Sequence, residues 1–422
     1  MTPYDSFTYF SFLLYPLALA LLLGLLRLLG WRALLLISLL ALLFQYLNPL
    51  GSAAAQAAGR QQLNFLTAYT VGSVLLVLTF AAIRRRGKRQ APFYLAVVLA
   101  LLPLLAVKLY PLLAAHHWLV SGSSTTAAAT GTVNGLLPGA GLFDAFGFLG
   151  ISYMTFRVID AIVAIHDGLA KEPPSAGGVA TYLLFFPTIS AGPIDRYRRF
   201  LDNLKGLPPR RATYLADVEA GLLRIVQGFV YKFIVAYLIY RHWLVPSSYM
   251  AGIGGLLRYM YAYSFYLFFD FAGYSAFAIG TARFFGIRVP ENFNAPFLSR
   301  DFREMWTRWN MTLSFWLRDH VYMRFLLLAT RRRWFGGDRN RANHVALVLT
   351  FGLMGFWHGL LPHYIVYGFY QGGMMVLYDV VGRANRQRRI VPIGWRTDLI
   401  GLALTFNLFC FGLLIFSGRL FQ

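Results

Sequence analysis

One histidine of the sequence lies in a setting that suits proton transfer. His358 ends a long apolar run and is followed by glycine, in the segment Phe-Gly-Leu-Met-Gly-Phe-Trp-His-Gly at 351–359. A buried imidazole beside glycines that admit close approach can act as a general base, because its ordinary pKa lies near neutrality. The structural alternative is a histidine that packs helices through a bond to a neighbouring carbonyl group.

A second candidate segment covers residues 299–324 and is rich in aromatic and basic side chains. If it is helical, Asn310, Ser314 and Arg318 follow one another at four-residue spacing and form a polar stripe on one face. An amphipathic helix at a membrane surface is the alternative. That alternative explains the flanking arginines well but the amide of Asn310 less well.

Other charged residues within apolar segments favour structural roles. Arg157 and Asp160 lie three residues apart and are predicted to pair within one helix. Asp270 has no obvious partner nearby, and we expect a bond to another helix instead of a proton relay. The stretch 185–200 carries two prolines and a glycine, which predict a broken segment whose free backbone groups line a cavity.

Composition identifies the class of protein that must position these residues. Of the 422 residues, 58% are hydrophobic and only 13% are charged, and the apolar residues occur in runs of about 20, the length that crosses a bilayer. This excludes a soluble multidomain enzyme and predicts an all-α polytopic membrane protein. The net charge of +22 comes from basic residues at the ends of apolar runs, so membrane topology explains it better than nucleic acid does. With Cys410 as the only cysteine, neither an intrachain disulfide nor a cysteine-built metal site is possible.

Ten full membrane spans are predicted. They cover residues 8–30, 32–48, 63–83, 91–113, 142–166, 215–241, 256–285, 343–361, 364–382 and 397–417. Two further apolar stretches, 178–193 and 310–330, are interrupted by prolines, a glycine or charges, and are predicted to be re-entrant or interfacial.

The positive-inside rule orients these spans consistently. It places the basic loops in the cytoplasm and the loops without basic residues outside, with both chain termini outward. The cytoplasmic loops are 84–89, 196–211, 331–341 and 383–389, and the outer loops are 114–141 and 246–255.

Three sequence blocks resemble the membrane-bound O-acyltransferase (MBOAT) family. They are Pro-Thr-Ile-Ser-x-Gly-Pro-Ile-Asp-Arg at 187–196, Arg-Trp-x-Met-Thr-Leu-Ser-Phe-Trp-Leu-Arg-Asp at 308–319 and Gly-Phe-Trp-His-Gly at 355–359. Two runs, Arg-Asp-x-Val-Tyr-Met-Arg-Phe at 318–325 and Phe-Gly-Leu-Leu-Ile-Phe-Ser-Gly at 411–418, are most similar to the branch that transfers D-alanine. The resemblance covers most of the chain from about residue 147 onward.

The resemblance implies a fold of about 10 to 12 transmembrane helices, with re-entrant or interfacial helices, around a tunnel centred on His358. It implies one integral membrane domain, 1–422, made of peripheral N-terminal spans at 1–141 and a catalytic core at 142–422. At the position of Asn310, many members carry a second histidine. Since asparagine is no base, Asn310 is expected to donate a hydrogen bond to the acyl carbonyl, with Ser314, Trp309, Trp357 and Arg318 lining the tunnel.

The activity that the resemblance implies is transfer of D-alanine from the phosphopantetheine thioester of a small acidic, DltC-like acyl carrier protein, across the cytoplasmic membrane, toward a teichoic-acid-like polymer. No metal and no permanently bound cofactor are expected. The expected partners also include an extracytoplasmic or membrane protein of the DltD type and membrane lipid, but no nucleic acid. The carrier is predicted to dock on Val321, Met323, Arg324 and Leu326. The alternatives are an O-acetyltransferase of exported polysaccharide or peptidoglycan and, in another class, a transporter or flippase.

Overall fold

A computed structural model describes residues 3–49, 51–87, 89–120, 150–170, 172–388 and 394–421, without the side chains of 111–120. In these ranges the secondary structure is helical, with no strand. Most of the predicted outer loop 114–141, the first part of the predicted span 142–166 and the predicted domain boundary at 141–142 lie outside the described residues.

The helices follow the predicted spans closely. In chain order they are α1 (Phe7–Leu25), α2 (Trp31–Leu47), α3 (Ala53–Arg86), α4 (Ala91–Val120), α5 (Ile151–His166), α6 (Ala176–Leu184), α7 (Tyr197–Lys205), α8 (Arg211–Ser248, with π-helical turns at Val230–Ala236 and Tyr240–Leu244), α9 (Gly252–Phe284), α10 (Phe302–Trp306), α11 (Met311–Leu317, continued through a π-helical turn at Arg318–Tyr322 into Met323–Arg331), α12 (Arg339–His358), α13 (Pro362–Arg388) and α14 (Trp395–Phe416). Short 3₁₀ helices occur at Phe186–Thr188, Pro296–Leu298 and Arg419–Phe421.

Five of the described helices are long and apolar enough to cross a membrane. They are α1, α3, α4 up to Tyr110, α8 and α14, and α2 is a shorter apolar helix. The described parts of the remaining predicted spans are helices as well, but they are shorter or more polar. The prediction of an all-α polytopic membrane protein is confirmed.

The chain forms two compact units. The first contains Met1–Gly221 and Thr281–Arg288, and the second contains Leu222–Gly280 and Val289–Gln422. Both His358 and Asn310 belong to the second unit.

In the first unit, a buried arginine forms hydrogen bonds with backbone carbonyl groups at the helix break that follows α6. The Arg157 guanidinium donates to the carbonyl oxygens of Tyr182 at 2.9 Å, Leu183 at 3.0 Å and Thr188 at 2.6 Å. Where a helix ends, its last carbonyl groups have no partner within the helix. Burying such groups costs free energy unless they accept other hydrogen bonds. We expected these carbonyl groups to line a cavity. They have a structural role instead, since they accept hydrogen bonds from Arg157.

Arg157 and Asp160, which were predicted to pair with each other, have other partners in the structure. Asp160 accepts from Arg196 Nη1 at 2.9 Å and from the Tyr197 backbone N–H at 2.7 Å. It thereby fixes the start of α7, where the chain leaves the broken segment. A three-residue spacing permits pairing on a helix surface, but both groups are buried here and find partners in the adjoining segment.

In the second unit, Asp270 has the bond to another helix that the sequence led us to expect. Lys232 Nζ on α8 lies 2.6 Å from Asp270 Oδ1 on α9. The two helices approach closely there, because a Cβ added at Gly273 would lie 2.8 Å from the backbone nitrogen of Lys232. The ion pair therefore joins two long helices at their contact.

Removing one charge of this pair should destabilise the folded protein more than removing both. Lys232→Met leaves the Asp270 carboxylate, whose side chain is 32% exposed, without its cation, and such a partly buried unpaired group typically costs about 1–3 kcal/mol. The double variant Lys232→Met/Asp270→Leu should recover most of that loss, because no isolated charge remains. Thermal unfolding of the detergent-solubilised protein measures the difference, and a double variant less stable than the single one would contradict the assignment.

Candidate active site

The site is built on a helical pair whose backbones touch. A Cβ added at Gly355 on α12 would lie 2.5 Å from the carbonyl oxygen of Tyr364, and one added at Gly368 on α13 would lie 2.5 Å from that of Phe351. Only glycine permits this approach, as at other close helix crossings in membranes. The contact holds the end of α12, and with it His358, against the start of α13.

His358 is the last residue of α12 and is half-buried among aromatic rings. Its ring centroid lies 4.7 Å from that of Trp357, 5.0 Å from Phe416 and 6.2 Å from Tyr367. The helix stops one turn earlier than the predicted span 343–361. The imidazole therefore lies at a helix end, where the chain turns through an extended Gly359.

A cavity of about 350 Å³ runs along one face of α12. Asn343, Leu347, Thr350 and Met354 line it from this helix. These positions recur every three or four residues, which is the repeat of one helical face, and His358 is the next position in the row. The cavity therefore leads toward the imidazole and ends one helical turn from it.

The two ends of the cavity differ in chemistry. Ser314 and Arg318 of α11 line it, as does Met375 of α13. Near Asn343 the lining is polar, with Tyr322, Tyr378, Asp379 and Arg303, and near Met354 it is apolar. The cavity therefore has a charged end and an apolar end, and the apolar end is the one nearer to His358.

Sequence reasoning missed the carboxylate at the polar end. Asp379 accepts from Asn343 Nδ2 at 3.1 Å, lies 2.9 Å from His344 Nε2 and pairs with Arg383. The signal was available, because an aspartate inside the predicted span 364–382 is expensive unless it is partnered or functional.

Asn310 is held in the left-handed backbone region, with φ 40° and ψ 52°, immediately before α11. Asparagine tolerates this conformation better than most residues. The Met311 N–H donates to the Asn292 carbonyl at 2.8 Å, and the Asn292 side chain bridges Thr312 Oγ1 at 2.6 Å and Ser275 Oγ at 3.0 Å. These bonds fix the buried Asn310 at the entry to the helix.

The predicted polar stripe is therefore wrong in one member. Ser314 and Arg318 line the cavity, but Asn310 precedes the helix and does not line it. The helical spacing that we assumed begins only at Met311, and the π-helical turn that starts at Arg318 changes the spacing again.

The start of α10 is stabilised by two carboxylates. Asp301 accepts from the Glu304 N–H at 2.7 Å, and the Glu304 carboxylate accepts from the Arg300 N–H at 2.8 Å and from Arg308 at 2.6 Å. The bond from Arg300, aided by the charge of Arg308, holds the pKa of Glu304 below its usual value. Glu304 is thus ionised at neutral pH and fixes α10, whose Trp306 lines the cavity.

The predicted tunnel tryptophans lie beside the cavity instead of lining it. Trp309 is buried in an aromatic cluster, with centroids 5.0 Å from Phe409 and 5.2 Å from Phe293. Trp357 contacts His358. Trp306, which sequence reasoning passed over, provides the cavity wall and contacts Phe351 at 4.8 Å.

Of the predicted docking residues, Leu326 is not at the surface. It is buried in a cluster with Ala329, Ala342 and Ala346, because α11 packs this face on α12. Val321 and Arg324 are half-buried, and Met323 is exposed. Within the described ranges, no three His, Cys, Asp or Glu side chains are grouped to hold a metal ion.

Comparison of the sequence with known protein families identifies the family of the chain. Residues 25–419 match the membrane-bound O-acyltransferase family, MBOAT. The chain belongs to this family. It is an acyltransferase and a multi-pass membrane protein, as the sequence blocks around Asn310 and His358 led us to expect.

Several relatives are similar over long stretches. The chain is 38% identical to the teichoic acid D-alanyltransferase of Bacillus subtilis, over 100% of this chain and 99% of that protein. It is 36% identical to the teichoic acid D-alanyltransferase of Streptococcus thermophilus, over 85% of this chain and 83% of that protein. A protein of Pseudomonas putida named probable alginate O-acetylase AlgI is 32% identical, over 64% of this chain but only 52% of its own length.

The contact between α12 and α13 predicts a sharp difference between two glycines. Gly368→Ala should force the helices apart, lowering both thermal stability and acyl transfer, because its methyl group meets the Phe351 carbonyl. Gly373→Ala on the same helix meets nothing within 4 Å and should leave both unchanged. Unfolding and turnover of the two purified variants provide the test, and equal behaviour of the pair would refute the close contact.

Proposed function

We propose that the protein transfers D-alanyl groups from the phosphopantetheine thioester of an acidic carrier protein to hydroxyl groups of a teichoic-acid-like polymer. The cytoplasmic membrane is the proposed location, with donor and acceptor on opposite sides. The observation that carries the proposal is the cavity that follows α12 to within one turn of His358. Full-length similarity to a teichoic acid D-alanyltransferase supports D-alanine as the acyl group.

The dimensions and chemistry of the cavity suit a long donor arm. Fifteen residues separate Asn343 from His358, which is about 22 Å along a helix at about 1.5 Å per residue. Arg303 lines the polar end and Arg318 also lines the cavity, and such cations favour a phosphate group. The apolar end, lined by Leu347 and Met354, suits the uncharged part of the arm.

In this reaction the acceptor hydroxyl gives its proton to His358 while its oxygen attacks the thioester carbonyl carbon. A C–O bond forms, and negative charge develops on the carbonyl oxygen. The donor that we propose for this oxygen is the amide of Asn310, which precedes α11 and lies outside the lining of the cavity. The C–S bond then breaks, and the departing sulfur receives the proton from His358. Such a base typically contributes about 10²–10⁴-fold to the rate and such a donor about 10²–10³-fold.

The carrier is proposed to dock where α11 reaches the surface. Met323 is 40% exposed and Leu327 is 50% exposed, and the half-buried Val321 and Arg324 lie beside them. Basic loops and the net charge of +22 favour encounter with an acidic partner. The buried Leu326 supports this surface from beneath. A partner of the DltD type and membrane lipid are proposed on the route of the acyl group to the polymer.

Histidine dependence tests the proposal. In proteoliposomes, discharge of labelled D-alanine from its carrier should fall about 10²–10⁴-fold in His358→Ala. His242→Ala, which changes an exposed histidine on α8, should remain active. Discharge from an acetyl-loaded donor alone would assign the protein to O-acetyl transfer, the activity named for the less similar AlgI of Pseudomonas putida. Solute flux that tolerates His358→Ala would indicate a transporter.

Blocking the cavity tests the donor route separately. Met354→Trp fills the apolar end and should lower discharge about 10²-fold, a typical result of ångström-scale misplacement of a bound reactant. Leu353→Trp is the matched control, because Leu353 is 49% exposed and does not line the cavity. The rates of carrier discharge by the two variants are compared. Equal rates would exclude this cavity as the route of the donor arm.

A further inference from the structure

One fully buried amide in the second unit has polar atoms without partners. Gln371 on α13 is 0% exposed. Among the described residues, neither its Nε2 nor its Oε1 has a hydrogen-bond partner. Because a buried unsatisfied amide is costly, native proteins rarely keep one without a reason, and a transient ligand is one such reason.

The helix α13 places this amide between the cavity and the imidazole. Tyr367, Gln371, Met375 and Asp379 follow one another at four-residue spacing and share one face. Met375 and Asp379 line the cavity, and the Tyr367 ring contacts that of His358 at 6.2 Å. Gln371 lies in this row between Met375, which lines the cavity, and Tyr367, which contacts His358.

The helix α14 locates the same amide independently. A Cβ added at Gly412 would lie 2.4 Å from Gln371 Nε2, so the amide rests directly on that glycine. Three residues earlier, Phe409 contacts Trp309, which precedes Asn310. Four residues later, Phe416 contacts His358 at 5.0 Å. Gln371 therefore lies at a level between the two groups that are proposed to act on the acyl carbonyl and the hydroxyl.

We propose that Gln371 determines specificity for an aminoacyl donor, with Oε1 accepting from the α-ammonium group of D-alanine and Nε2 donating to an oxygen of the donor. A carboxamide offers both functions at once, and an acetyl or propionyl group has no N–H to fill the acceptor. Asp379, the carboxylate that lines the cavity, is paired with Arg383 and lies eight residues away toward the polar end. This inference rests on the proposed D-alanyl transfer.

The test compares two donors that differ only in the ammonium group. Carrier protein loaded with D-alanine or with propionate is discharged by the full-length protein in proteoliposomes, and the ratio of kcat/KM values is measured. Gln371→Met keeps the length of the side chain but removes both polar functions. We expect it to lower D-alanyl discharge about 10²-fold and to change propionyl discharge less than about threefold, as for a lost hydrogen-bond acceptor in a closed site.

A second variant moves the amide without changing it. Gly412→Ala places a methyl group against Nε2 from the neighbouring helix and should shift the donor ratio in the same direction. Gly373→Ala, which meets nothing within 4 Å, should leave the ratio at the wild-type value. Because Gly412→Ala leaves the Gln371 residue itself unchanged, it also provides the answer if Gln371→Met does not fold.

Each outcome has a distinct meaning. A donor ratio that changes only through D-alanyl discharge supports the inference. Equal losses for both donors, or a ratio unchanged in both variants, overturn it and assign Gln371 to packing. A wild-type protein that discharges neither donor contradicts the proposed function itself, whereas one that discharges both equally overturns only the inference about Gln371.

Discussion

The close contact of α12 and α13 at Gly355 and Gly368 determines the geometry of the site. Because no side chain separates the two backbones there, the faces on either side of the contact are fixed relative to each other. One face carries the row that ends at His358, and the facing helix carries the row from Tyr367 to Asp379. The cavity, its polar end and the aromatic surround of the imidazole all follow from that approach.

A second constraint is the need to satisfy polar groups in an apolar protein. Arg157 bonds the carbonyl groups of a broken segment, and Lys232 pairs with Asp270 where α8 and α9 meet. These groups stabilise particular helix contacts and need not take part in chemistry. Gln371 differs from them, because its buried polar atoms have no partner among the described residues. That contrast is the reason for which we propose a ligand for Gln371.

Much of the fold was predictable, because apolar runs of bilayer length are a strong signal in a chain with few charges. The helices around His358 were found within a few residues, and the break near Pro187 was recognised from its prolines and glycine. Asn310 was misplaced because a left-handed residue before a helix has no spacing signal that distinguishes it from the first turn. Asp379 and Gln371 were missed because their meaning depends on which helices face them, and no single helical segment contains that information.

In the proposed reaction the donor arm reaches His358 along α12. Disulfide cross-linking detects this route, with single cysteines placed in a Cys410→Ala background and the phosphopantetheine thiol of the carrier as the partner. We expect a mixed disulfide with Met354→Cys, at the end of the cavity, and none with Leu353→Cys on the exposed side of the same turn. Cross-linking at 353 as readily as at 354, or at neither position in a protein that discharges its carrier, would contradict it.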